Sequence, residues 1–101
     1  MNNDAERYFW TKTTDEGTKL GLSKDAQDEL GNVTYIDLPK VGSELVAGQT
    51  FVSMEAEKAV SDMPSPISGT VTGLNPALAD GTDALNGDWD EAWLLTFTPA
   101  K

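Results

Sequence analysis

The sequence predicts a mainly β fold, a flattened β-barrel or sandwich, and three observations carry that expectation. Short runs rich in β-branched and aromatic residues follow one another closely along the chain. Clusters of Gly, Pro, Asn and Asp separate them, where the chain has to reverse. Only two short stretches, Lys24 to Leu30 and Pro76 to Ala79, read as helical. At 101 residues the chain is expected to be a single domain, 1–101, with one modest core.

Taken in order, Arg7 to Lys12 (RYFWTK) reads as a strand whose aromatics Tyr8, Phe9 and Trp10 fill a core. Thr13 to Gly17 is the turn and Thr18 to Leu22 the returning strand. Ser23 can cap the helix from Lys24 to Leu30, and Gly31 can end it. Ala26 and Leu30 lie four apart and share a face, so this helix is expected to cover one opening of the β core. Asn32 to Leu38 (NVTYIDL) reads as a strand with neither face plainly polar, stopped by Pro39. Tight turns at Gly42 and Gly48, both read as backbone-conformation residues, flank a brief strand Leu45-Val46.

The next stretch, Phe51 to Val71, is the centre of the chain. Phe51 to Met54 leads in and Ala59 to Met63 leads out, so Glu55-Ala56-Glu57-Lys58 falls at a hairpin reversal and holds one lysine out from the body. Pro64-Ser65-Pro66 is a stiff bend, and Ile67 to Thr72 a strand that Gly73 is expected to break. Asn75 caps a short helical turn opened by Pro76. A polar loop from Asp80 to Asp88 follows, and Trp93 to Thr98 is the last strand. Gly69 is expected where the backbone is crowded or has positive φ at the foot of the hairpin.

Composition excludes more than it selects. The chain has neither cysteine nor histidine, which removes disulfides, thiol nucleophiles, thiolate metal sites and the commonest acid–base group. No phosphate-cradling glycine loop and no G-x-S-x-G elbow occurs, so unaided catalysis is not expected. Asp80, Asp83, Asp88, Asp90 and Glu91 do not have the spacing of a calcium loop, so no metal site is expected. A net charge of −10 repels nucleic acid and anionic lipid and favours a basic protein surface as partner. No apolar run is long enough to span a bilayer. Met1 to Glu6 lacks the features of a signal or transit peptide, so the expected location is the bacterial cytoplasm.

On spacing alone, Lys58 beside two glutamates reads as an ordinary solvated charge. The order of its neighbours says more. Glu55-x-x-Lys58-Ala59-Val60-Ser61-Asp62 followed by Pro66-x-Ser68-Gly69 resembles a lipoyl-attachment hairpin. A biotin hairpin would place methionine on both sides of its lysine, whereas here the neighbours are Glu57 and Ala59. With Gly21-Leu22-Ser23, Ala26 to Gly31, Leu38-Pro39-x-Val41-Gly42, Asn75-x-Ala77-Leu78-Ala79 and Trp93-Leu94, the chain resembles the glycine cleavage system H proteins from about Leu20 to Pro99.

That resemblance implies a lipoyl-domain-like hybrid fold and a non-catalytic, monomeric carrier with lipoate bound covalently to Lys58. It also implies recognition of the turn by a lipoate ligase or a lipoyl synthase and transferase through Glu55 and Ala59. The lipoyl-lysine would shuttle the aminomethyl group of glycine between a glycine decarboxylase, an aminomethyltransferase and a dihydrolipoyl dehydrogenase. Glu57 stands where the family more often has an apolar residue, and the family's amino-terminal His-Glu-Trp segment is missing, with Arg7-Tyr8-Phe9-Trp10 near its place. Two alternatives stay open. One is an H-like relay that passes lipoyl groups to other complexes or serves a stress-linked lipoylation and ADP-ribosylation operon; the other is an unmodified acidic β-domain that binds a basic protein.

Overall fold

The computed structural model describes residues 7–15 and 17–100. Met1 to Glu6, Glu16 and Lys101 lie outside the described residues. Two antiparallel sheets face each other across a shared core, and neither closes into a barrel. The larger sheet takes β1 (Phe9–Thr14), β2 (Gly17–Leu22), β8 (Trp93–Pro99), β7 (Gly69–Leu74) and β4 (Glu44–Leu45), in that spatial order. The smaller sheet is β3 (Val33–Asp37), β5 (Thr50–Ala56) and β6 (Val60–Pro64), with β5 in the middle.

The inward faces of both sheets supply the core. Leu20, Leu22, Val71, Leu95 and Phe97 come from the large sheet, and Val33, Val52, Met54 and Met63 from the small one. Phe9 joins them and meets Phe51 edge to face, with ring centroids 5.3 Å apart. Trp10 lies at the margin, where its indole N–H reaches the carbonyls of Leu22 at 3.0 Å and Trp89 at 2.9 Å.

Helix α1, Lys24–Leu30, covers one end of this core with Ala26 and Leu30. Ser23 Oγ accepts from the Ala26 N–H at 3.1 Å and satisfies one of the amides that a helix start leaves without a partner. Glu29 is held by the Arg7 guanidinium and the Tyr8 hydroxyl, and Gln27 donates to the carbonyls of Leu85 and Gly87. Asn75 caps a 3-10 turn over Pro76–Asp80, and two further single turns, Asp83–Leu85 and Trp89–Glu91, occupy the stretch expected as open loop.

Two departures have local causes. The β3–β5 register shifts between Val33 and Tyr35, so Val33 and Ile36 both point inward, which is why the letters of β3 do not alternate. Gly73 does not end its strand: β7 continues to Leu74 through a register shift between Val71 and Gly73.

Candidate functional site

The lysine hairpin is built by β5 and β6. Its register pairs Ser53 with Asp62, Met54 with Ser61 and Glu55 with Val60. β5 runs to Ala56 and β6 begins at Val60, and the Ala56 N–H donates to the Ala59 carbonyl at 2.8 Å, so the reversal is Glu57-Lys58-Ala59, two residues later in its start than the Glu55-to-Lys58 turn the sequence suggests. Hairpin loops of two or three residues ordinarily place at least one loop residue at positive φ, the reason for their Asn-Gly and Gly-rich sequences. No described non-glycine residue here has positive φ. Something other than turn propensity must therefore hold this tip.

The support is the end of helix α1. The Lys58 N–H donates to the Leu30 carbonyl at 2.9 Å, and the Glu57 N–H to the Asn32 carbonyl at 3.0 Å. In return, Glu57 Oε1 accepts from the Asn32 N–H at 2.8 Å. Lys58 Nζ donates to the Asp28 carbonyl at 3.1 Å. The last turn of α1 contains no basic residue, and its free carbonyls carry the negative end of the helix dipole. Lys58 supplies the missing cation. The lysine is exposed, yet its side chain lies back on the helix rather than standing clear of the body as the hairpin pattern alone suggests.

Gly31 makes that docking possible. It has φ 75° and ψ −157°, a conformation essentially reserved for glycine, and an added Cβ would sit 3.2 Å from Glu57 Cβ and 3.6 Å from Lys58 Cγ. In the sequence Gly31 reads as the left-handed residue that ends the helix. The one available signal was a helix whose final turn has no cation of its own.

Glu55 and Ala59 take different surroundings. Glu55 is exposed on the outer face of the small sheet, two residues before the loop, while Ala59 is half-buried and packs on the core margin. At the opposite end of the hairpin, Ser65 is fully buried, and its hydroxyl donates to the Ile67 carbonyl at 2.6 Å. Gly69 is buried in β7, where a Cβ would stand 2.4 Å from the Thr98 carbonyl oxygen. Gly42 and Gly48 have φ of 94° and 89°; the Gly48 N–H donates to the Ser65 carbonyl and so ties its turn to the foot of the hairpin. Among the described residues, the acids from Asp80 to Glu91 form no cluster able to hold a metal ion.

Two packed antiparallel sheets with one exposed lysine at a hairpin tip define a protein of the lipoyl-domain class. The family profile described as glycine cleavage H-protein matches residues 2–101. A glycine cleavage system H protein from Synechococcus is 40% identical over 97 residues, covering 95% of this chain and 75% of that protein. A probable H protein from Haloarcula marismortui is 42% identical over 92 residues, covering 90% of this chain and 72% of its own length. The crystal structure of a glycine cleavage system H protein from Mycobacterium marinum superposes with a TM-score of 0.78 at 27% identity, over 92% of this chain and 79% of that one. The chain belongs to the glycine cleavage H-protein family.

Proposed function

We propose that this protein, residues 1–101 as one domain, is the lipoyl carrier of a glycine cleavage system and that Lys58 is the attachment residue. Family membership supports the first part and lends nothing to a relay role or to an unmodified binding domain. The observation that carries the second is the place of Lys58: alone among the described lysines it sits on the loop of the hairpin, exposed, in no ion pair and held by one hydrogen bond. Such a side chain fits a long covalent arm, because nothing encloses its end and little has to be given up to extend it.

Attachment needs the ε-amine as a nucleophile. The ammonium must leave the Asp28 carbonyl and lose a proton before the nitrogen can attack an activated carboxyl group; an amide C–N bond then forms and the activating group departs. The dithiolane supplies the redox and one-carbon chemistry once bound, and the protein supplies none. The folded chain presents the arm in fixed surroundings, so that successive enzymes meet it at high effective concentration. Glycine decarboxylase, aminomethyltransferase and dihydrolipoyl dehydrogenase are the partners in this reading, a lipoate ligase or a synthase and transferase is the modifier, and the cytoplasm is the compartment. Glu55 and Ala59 are the residues read by the modifier.

Incubation with lipoate ligase, lipoate and ATP, followed by peptide mass mapping, tests the assignment. A single adduct on Lys58, absent from the Lys58→Arg variant, is the expected result; arginine keeps the charge but remains protonated. An adduct elsewhere, or one that persists in the variant, rules the assignment out.

A further inference from the structure

The outer face of the small sheet is more distinctive than its loop. Register places Tyr35, Glu55 and Val60 in one row across β3, β5 and β6. Val60 is 77% exposed, the most of any large hydrophobic residue described, and Tyr35 is 53% exposed. Single exposed apolar side chains are ordinary. Here two of them flank one carboxylate in a single cross-strand row, about 10 Å or less from the Lys58 Cα by strand geometry. The next row toward the foot of the hairpin holds Asp37, Ser53 and Asp62, with the Ser53 hydroxyl donating to Asp62 at 2.6 Å. Among the described residues, Asp37, Glu55 and Asp62 enter no ion pair.

The other side of the tip is closed. Ala56 and Ala59 turn toward the core, and the helix end occupies the space beside Glu57 and Lys58. The outer face is therefore the sheet surface beside the tip that stays open to an enzyme bringing its reacting centre onto Lys58 Nζ. We propose that the row Tyr35–Glu55–Val60 is the docking surface for the enzyme that acylates Lys58. The matching surface on that enzyme is an apolar ledge, which covers Tyr35 and Val60, bounded by a basic side chain opposite Glu55. The two apolar groups contribute affinity and the carboxylate fixes register, so the row sets how the tip is presented rather than how fast the amine reacts.

This inference rests on Lys58 as the acylated residue, and one experiment separates the two claims. Steady-state acylation by lipoate ligase is measured for the wild type, Tyr35→Thr, Val60→Thr, the double variant and Glu55→Gln, with Val41→Thr as control. Val41 is 60% exposed but lies outside the hairpin. Threonine keeps strand propensity and, at Val60, side-chain shape. The double variant is expected to raise KM about tenfold, with kcat within about twofold and an unchanged melting temperature. Glu55→Gln is expected to raise KM and to flatten its dependence on salt, because the screened pair has been removed. Val41→Thr should match the wild type. Should the double variant unfold, Val60→Thr alone decides, since its side chain is almost wholly in water. Wild-type KM in the row variants, an equal rise in Val41→Thr, or a fall in kcat with KM constant would overturn the proposal while Lys58 stays modified. A wild type without adduct on Lys58 overturns both.

Discussion

The two ends of the lysine hairpin are fixed by different physics. At the foot, Ser65 is fully buried, Gly69 leaves no room for a methyl group, and Ser65 and Gln49 are joined through their backbones at 2.8 Å. At the tip, Glu57 and Lys58 are exposed, and what holds them is a handful of hydrogen bonds to the end of one helix. Close packing punishes each added atom at the foot. Hydrogen bonds at the solvent boundary contribute little apiece, so the tip can be released locally without unfolding the domain. A carrier gains from that division: the scaffold that partners recognise stays fixed while the residue that bears the cargo is lightly held.

The largest effect is expected at the foot. Gly69→Val forces a side chain against the Thr98 carbonyl and the Phe97 ring at the start of β7, between β8 and β4. It should cost about 3 kcal/mol, the upper end for overpacking, and lower the melting temperature by more than about 10 °C. Thermal melting followed by circular dichroism checks this; an unchanged midpoint would mean that β7 and β8 part easily and that the foot is no more rigid than the tip.

Gly31→Ala should act next most strongly and should discriminate between the two ends. Its backbone conformation costs an alanine about 1–3 kcal/mol, and the new methyl meets Glu57. Hydrogen exchange is expected to show loss of protection at the Lys58 and Glu57 amides, while the Ser65 and Val71 amides keep theirs. Uniform loss at both ends would join them into one cooperative unit and undo the comparison.

The smallest effect belongs to Glu57. Glu57→Ala removes the acceptor for the Asn32 N–H and should cost about 0.5–1 kcal/mol. Glu57→Gln keeps an amide oxygen in the same place and should melt like the wild type. Denaturant titration of the pair reads the difference directly, and a glutamine variant as unstable as the alanine variant would assign the effect to charge instead.

Much of this was legible in the letters. Ser23 and Gly31 bracket α1, Asn75 and Pro76 open the first 3-10 turn, and Phe51 to Met63 reads as a hairpin because β-branched and apolar side chains surround a polar reversal. Such features are local: a cap, a proline or an alternation acts within a few residues of itself, and each leaves a residue type behind. The order of residues around Lys58 was enough to suggest its family.

What the sequence could not disclose is how the tip is held and which surface surrounds it. The carbonyls of Asp28, Leu30 and Asn32 meet groups of Glu57 and Lys58 that lie far along the chain, and most of those groups are backbone. A backbone amide is the same in every residue except proline, so the contact it makes leaves no mark in the letters. The row of Tyr35, Glu55 and Val60 likewise exists only once a bulge has set the β3 register, since shifting that register by one residue would turn Tyr35 inward. Local sequence determined the hairpin and its lysine; long-range pairing decided what supports the lysine and which side chains stand beside it.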